Sequence, residues 1–325
     1  MTAPRVRIGV IGTGALGYHH ARLLRHIEGA ELAGIYDRNP ERLAHVAKEL
    51  GAVPHASLDA LLDKVDAVSV VVSTPAHTEV GLAALSRGIS CLIEKPLADS
   101  VSGAEQLVAA AKKHGAKLQV GHVERFNRAV RAAMPYLEDP RFFQCDRLAP
   151  FTPRGSDVAV VLDLMIHDLD LILELVGKNV TDVRATGAPL LTPHVDIANA
   201  RVEFSNGAVA IVTASRISRE RTRKLRIFQP TGYFSLDLAQ GTGHFFRLKS
   251  GWKGLGATRI EDIVEHTKLD APEAEPLKLE LESFVRAVRG EGEVAVSGEA
   301  GAEALVLATR VVDAIQASPL ATLRT

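Results

Sequence analysis

Val6-Arg7-Ile8-Gly9-Val10-Ile11, running directly into Gly12-Thr13-Gly14-Ala15-Leu16-Gly17, is the stretch on which the reading of this chain turns. A β-branched run that stops at a G-x-G-x-x-G string and continues as a helical pattern is the context in which that string carries meaning. Gly12 permits the tight turn, Gly14 lets backbone amides approach a pyrophosphate, and Gly17 allows the helix to pack closely on the strand. The helix N-terminus adds partial positive charge. Asp37 stands twenty residues past Gly17, at the end of the strand-like run Glu31 to Tyr36, which is the spacing of a ribose 2′-hydroxyl acceptor. Asp37-Arg38-Asn39-Pro40 also reads as a turn and helix cap, and the two roles are compatible. Asp37 favours NAD by excluding a 2′-phosphate, whereas Arg38 leaves NADP open.

Outward from this stretch the same rhythm continues. Helical patterns run over Leu16 to Ile27, Pro40 to Leu50, His77 to Arg87 and Ser102 to His114, the last three stopped by Gly51, Gly88 and Gly115. Between and after them lie the strand-like runs Ala67 to Val72, Ser90 to Ile93 and Lys117 to Val120. Strand and helix in alternation predict a parallel sheet with crossover helices, a Rossmann domain. Past Gly121 the rhythm changes to one strong helix, Val160 to Val176, and then to strand-like segments with tight turns. Ala200 to Phe204 and Ala208 to Thr213 flank an Asn206-Gly207 hairpin signal. Two helical runs, Leu277 to Arg289 and Glu299 to Ala317, close the chain. The expectation is an α/β protein divided as 1–122 for dinucleotide binding and 123–325 for an α/β domain with an open, mostly antiparallel sheet.

Bulk properties narrow the function. The 325 residues suit two domains, and a formal net charge of -1 gives no global attraction to nucleic acid or an anionic membrane. Two cysteines, Cys91 and Cys145, make neither a disulfide framework nor a metal site, which fits a reducing cytoplasm. The longest apolar stretch is far short of the about 20 residues that span a bilayer, and Met1 to Arg7 has no signal-peptide pattern. The scattered histidines, His19 and His20 among them, form no ligand pattern, so no metal is expected.

Ser73-Thr74-Pro75-Ala76-His77 follows the strand Ala67 to Val72, and Glu94-Lys95-Pro96 follows Ser90 to Ile93. With these motifs, and with Asp163-Leu164-Met165-Ile166-His167 matching an Asp-x-x-x-His segment, the chain resembles the Gfo/Idh/MocA oxidoreductase family over essentially its whole length. The segments Val120 to Asn127 and Pro150 to Asp168 are similar to a subgroup of sugar-nucleotide dehydrogenases that oxidise the 3-hydroxyl of UDP-N-acetylglucosamine. Arg128 departs from that subgroup, which tends to carry proline there, and puts the start of the next helix in question. The resemblance implies an NAD(P)-dependent dehydrogenase acting on a sugar or sugar-nucleotide CH–OH group. It also implies a homodimer or homotetramer paired through the second-domain sheet. Ser73, Thr74, Pro75, His77, Glu94, Lys95 and Pro96 then join the glycine turn, Asp37 and Arg38 on the cofactor side.

Hydride leaves a secondary alcohol carbon only as the hydroxyl proton is removed, so a base must stand near that oxygen. Asp163 and His167, four residues apart, share a helix face, with Asp170 one turn further on. His167 reads either as the proton acceptor, oriented by Asp163, or as a histidine tucked among Leu164, Leu171 and Leu175. Lys95 reads either as a strand-end surface lysine or, by the resemblance, as the group that holds the reacting hydroxyl. Arg125, Asn127 and Arg154 are the candidates for substrate contact, because arginine forks suit diphosphate. Arg147 is divided between that role and solvated surface. The basic run Arg219, Arg221, Arg223, Lys224 and Arg226 reads as an exposed strand or turn. The alternatives are a free-sugar or inositol dehydrogenase and a non-catalytic NAD(P)-binding sensor; Lys95, Asp163 and His167 together argue against the sensor.

Overall fold

The computed structural model describes residues 5–153, 155–177, 179–251 and 259–317, which group into two compact units. The first comprises Met1–Val123 and Ala274–Leu305, the second Glu124–Glu273 and Val306–Thr325.

In the first unit, β1 (Val6–Ile11), β2 (Ala30–Tyr36), β3 (Ala67–Val70), β4 (Ser90–Glu94) and β5 (Leu118–Gly121) form a parallel sheet in the order β2-β1-β3-β4-β5. The helices between them are α1 (Ala15–Leu24), α2 (Pro40–Leu50), α3 (Leu58–Leu62), α4 (His77–Leu85) and α5 (Val101–His114). Every residue of β3, β4 and β5 is buried, the reason these strands read as unbroken runs instead of alternating ones. The chain leaves β1 towards β2 on one side and returns to β3 on the other. That reversal opens a crevice at the carboxyl ends of the strands, where the glycine turn lies. The short helix α3, capped by Ser57 and burying Leu61 and Leu62, is too brief for periodicity to announce.

The expected division at 122/123 does not contain the return of the chain to this unit. Helix α9 (Pro276–Val288) places Leu281, Phe284 and Val285 in one core with Val6, Ile8, Val10, Ala21 and Leu24. Beyond it, the Val120 amide donates to the Val296 carbonyl at 3.0 Å, so the segment also hydrogen-bonds alongside β5. The last helix, α10 (Gly298–Gln316), closes the described chain.

The second unit carries an eight-stranded sheet formed by β6 (Phe142–Leu148), β7 (Val180–Ala188), β8 (Ile197–Phe204), β9 (Val209–Ser215), β10 (Thr222–Gln229), β11 (Gly232–Asp237), β12 (Thr242–Leu248) and β13 (Val264–Leu269). Its order is β13-β12-β11-β10-β6-β9-β8-β7, and only the β6/β9 pair is parallel. Leu225, Ile227, Phe234 and Phe245 point to a buried face, while the intervening residues are half-exposed on the other. Helix α6 (Arg128–Ala133) starts cleanly at Arg128, because the Asn127 side chain caps it at the Ala129 amide, 3.0 Å away. Position N1 needs no proline when the cap is in place. The small helix α8 (Ile260–Ile263) precedes β13.

The expected helix Val160 to Val176 is not uniform. A π turn over Val161–Met165 leads into α7 (Ile166–Val176), which ends at left-handed Gly177. One extra residue in a turn rotates the helix beyond it, and such turns recur at functional positions. Here it contains Asp163 and ends two residues before His167.

Candidate active site

The dinucleotide half is built on the first unit. At the glycine turn a Cβ on Gly12 would meet the Val71 carbonyl oxygen at 2.5 Å, and one on Gly17 would collide with the Gly12 carbonyl. A Cβ on Gly14 would find only Arg42 Nη1, 3.8 Å away, so the backbone there is open to a ligand. Helix α1 has neither a side-chain cap nor an acidic residue in its first turn, which leaves its amides and positive dipole end for an anion. These residues fit the pyrophosphate of a dinucleotide. Thr13, Gly14 and Ala15 line a cavity of about 430 Å³ with Tyr18, Arg42, His45 and Val46.

Asp37 accepts from the Thr13 amide at 2.6 Å, the Thr13 hydroxyl at 3.0 Å and the Asn39 amide at 2.8 Å. Burial alone would raise its carboxyl pKa, but these bonds outweigh it and hold the group below the usual range. The cap of α2 is Asn39, which accepts from the Arg42 amide, so Asp37 braces the glycine turn. Arg38 leans towards Glu79 on an exposed surface, at 3.3 Å, whereas Arg42 stands 4.0 Å from Asp37.

Ser73, Thr74 and Pro75 follow β3 as a short turn before α4. His77, buried at the start of α4, faces the Pro96 carbonyl through Nδ1 at 2.9 Å and the Val72 carbonyl through Nε2 at 3.2 Å, so its ring joins both motif loops. Burial pulls the His77 pKa below its ordinary value although both carbonyls oppose the shift. Lys95 is half-buried at the end of β4, with a cis peptide to Pro96. Glu94 lies beneath it. One carboxylate oxygen is 3.2 Å from His20 Nε2, the other accepts from the Lys95 amide at 3.3 Å, and His20 Nδ1 meets the Ser69 hydroxyl at 2.7 Å. Desolvation pushes the Glu94 carboxyl up, but His20 and the neighbouring positive charge overcome it and keep the group ionised. Sequence reasoning gives His20 no such role; its signal is a polar residue on the buried face of α1, with Gly17, Ala21 and Leu24.

The second unit carries Asp163 in the π turn and His167 in the first turn of α7, both half-buried and both engaged within the protein. His167 is half-buried with its Nδ1 enclosed, like half-buried Leu164 and Leu175 beside it on the helix, while Leu171 is fully buried. Gly155, at φ +75, lies so close to Asp163 that a Cβ there would meet Oδ2 at 2.5 Å. Arg216, 4% exposed, donates to the carbonyls of Gly155 at 2.5 Å and Val158 at 2.7 Å and thereby clamps the loop that feeds the π turn.

Two further acids of α7 are neutralised from behind. Arg147 forks onto both Asp168 oxygens at 2.8 Å and reaches Glu124 Oε1 at 2.8 Å. Burial raises the Asp168 carboxyl despite Arg147, while the two acids outweigh burial and hold the Arg147 guanidinium charged. Arg147 is thus neither substrate contact nor solvated surface. Its sequence signal is its phase, since it continues the alternation of buried Phe143 and Cys145. Arg125 forks onto Asp170 at 2.8 and 2.7 Å and meets Glu174 at 2.5 Å. Asn127 is buried and donates to Glu124 at 2.9 Å and to the Leu238 carbonyl at 2.8 Å. Both side chains hold the fold together here. Arg154 lies outside the described residues.

With that geometry in view, the likeness to known proteins is specific. Residues 6–122 match an oxidoreductase family described as an NAD-binding Rossmann fold, and residues 153–322 match its C-terminal alpha/beta domain. The chain is 40% identical over 318 residues to the UDP-N-acetylglucosamine 3-dehydrogenase of Acidithiobacillus ferrooxidans, covering 96% of this chain and 98% of that one. A solved structure of that protein superposes with a TM-score of 0.90 at 38% identity, over 97% and 99% of the two chains. The myo-inositol 2-dehydrogenase of Thermotoga maritima is 28% identical, over 93% and 94%. Levoglucosan dehydrogenase, solved with NADH and levoglucosan, shares the fold with a TM-score of 0.84 at 18% identity, over 96% and 97%.

Proposed function

The chain belongs to the Gfo/Idh/MocA oxidoreductase family and is an NAD-dependent dehydrogenase, and we propose that it oxidises the 3-hydroxyl of UDP-N-acetylglucosamine or a closely related UDP-sugar. The observation that carries this reading is the 40% identity to the Acidithiobacillus enzyme along nearly the full length of both chains, second unit included. The glycine turn and Asp37 would hold NAD, which when bound would supply the hydride acceptor. Lys95 holds the reacting oxygen by donating a hydrogen bond to it, and His167 takes the hydroxyl proton as the carbonyl forms. Asp163 fixes the ring and stabilises its charged form. Remote contacts to the nucleotide supply binding energy that positions the sugar.

Among the described residues no helix is long and apolar enough to cross a membrane. We place the protein in the cytoplasm, which suits the buried free thiols of Cys91 and Cys145. Pairing of subunits through the second-unit sheet into a homodimer or homotetramer is supported by an aromatic ladder on its less buried face. There Phe228 and Tyr233 stack at 5.4 Å, Tyr233 and Phe246 at 4.7 Å, and Phe246 and His266 at 4.8 Å.

The second reading, an inositol or free-sugar dehydrogenase, is favoured by the Thermotoga relative. NADH formation with UDP-N-acetylglucosamine, N-acetylglucosamine and myo-inositol at matched concentrations, with a carbonyl trap and NMR of the product, separates the two. The UDP-sugar should react fastest, at its third carbon; a win for inositol or free hexose overturns the substrate.

A further inference from the structure

The basic run that reads as an exposed strand is divided by β10 into two faces. Arg223 shares the buried face with Leu225 and Ile227, while Lys224 and Arg226 point to the other side. In the antiparallel pairing of β10 with β6, Arg223 stands directly opposite Arg147. Like charges in that relation repel. Arg147 is saturated by Asp168 and Glu124, whereas among the described residues Arg223 reaches only Glu124 Oε1 at 3.5 Å, an oxygen that Arg147 already holds at 2.8 Å. A 3.5 Å approach is beyond the normal range of such a bond. The Arg223 side chain is 39% exposed against 3% for Arg147, and exposed Arg221 precedes it at the strand end. Two guanidiniums, Arg147 and Arg223, thus share two carboxylates, Glu124 and Asp168, both of which Arg147 already holds, and exposed Arg221 adds a further positive charge near Arg223. Burial, Arg147 and Arg221 together make the charged form of Arg223 harder to keep.

The position of this surplus matters. Thr222 pairs with Leu148, the last residue of β6, so the start of β10 lies at the end of the sheet from which the chain departs towards Gly155 and the π turn. Asp168, gripped by Arg147, is the residue after His167. Among the described arginines that the sequence offered to substrate, Arg125 is committed to Asp170 and Glu174 and Arg147 to Asp168 and Glu124.

We propose that Arg223, assisted by Arg221, is the subsite for the diphosphate of a nucleotide-sugar substrate. This rests on the reading that the substrate is a sugar nucleotide. The half-exposed guanidinium fork offers paired donors to a diphosphate ester, and the incoming anion relieves the repulsion from Arg147.

The test is calorimetry on the full-length protein saturated with NAD, using UDP, inorganic pyrophosphate and uridine as probes, on wild type, Arg223→Met, Arg223→Lys and Arg221→Met. Arg223→Met should weaken UDP and pyrophosphate by about 10- to 100-fold and leave uridine and NAD unchanged. Arg223→Lys should recover part of the loss, and Arg221→Met should lose several-fold. If Arg223→Met does not fold, the other two variants carry the test, because Lys keeps the charge and Arg221 is exposed. Wild-type affinity for UDP in every folded variant overturns the subsite while the sugar-nucleotide reading stands. Arg223-dependent pyrophosphate binding without turnover of any UDP-sugar overturns that reading and keeps an anion site. A wild type that binds neither UDP nor pyrophosphate overturns both.

Discussion

Two buried carboxylate centres, one in each unit, are held in opposite ways. Glu94, under Lys95, is partnered by an imidazole at 3.2 Å and a backbone amide at 3.3 Å, with no arginine fork among the described residues. Asp168, behind His167, is locked by a guanidinium fork with both bonds at 2.8 Å, and Asp170 by another at 2.8 and 2.7 Å. Charge-assisted forks are rigid and geometrically specific, whereas an imidazole–carboxylate contact stays responsive to proton and ligand. The second unit therefore presents its helix from a fixed base. The first keeps an ionised acid beside a lysine, where bound cofactor and substrate alter the local charge.

The comparison can be broken most directly at the groups standing above the two centres. Lys95→Ala and His167→Ala should each lose turnover by about 10² to 10⁴ and keep NAD affinity, read by steady-state rates and cofactor titration. Turnover near wild type in His167→Ala would remove it from proton transfer. Next come the centres themselves. Arg147→Met leaves two acids buried without their fork and should cost about 3 to 5 kcal/mol of stability. Glu94→Gln should cost about 1 to 3 kcal/mol, since weaker bonds are lost. Urea unfolding of both variants gives the ranking, and a reversed order would dissolve the contrast.

A finer probe is Gly155→Ala. A side chain at φ +75 costs about 1 to 2 kcal/mol, and its Cβ must displace the Asp163 carboxylate. We expect kcat to fall roughly tenfold, as for a partly misplaced acid-base group, with the KM for NAD unchanged. Adding His167→Ala should produce no further loss attributable to Gly155. An additive double variant would show that Asp163 does not act through His167.

The smallest effect is in pH. His77 is held below its ordinary pKa, so the unfolded chain binds a proton that the folded chain refuses. Its stabilising contribution is complete above about pH 6.5 and declines as pH falls below that value. Unfolding midpoints at a series of pH values should fall through this window in wild type and fall less in His77→Gln. Asp37 and Glu94, both depressed, follow the same sign in the lower carboxylate range.

What the sequence by itself determined is whatever is written locally. The order β1, glycine turn, α1, β2, Asp37 is contiguous, and each step has its own residue requirement, so the dinucleotide half is legible without knowledge of any contact. The Asn206-Gly207 hairpin and the left-handed stop at Gly177 are of the same kind. What only the tertiary structure decided are pairings between residues far apart in the chain. Arg147 meets Asp168, His20 meets Glu94, and Leu281, Phe284 and Val285 return to the core of the first unit. Propensity and periodicity describe which face of an element is apolar, not which distant charge will meet it there. The π turn before α7 is likewise invisible to a helical pattern, because it adds one residue to a turn without changing the apolar character of the run. Arginines that sequence logic offered to a substrate could be told from those spent on the fold only once their partners were in place.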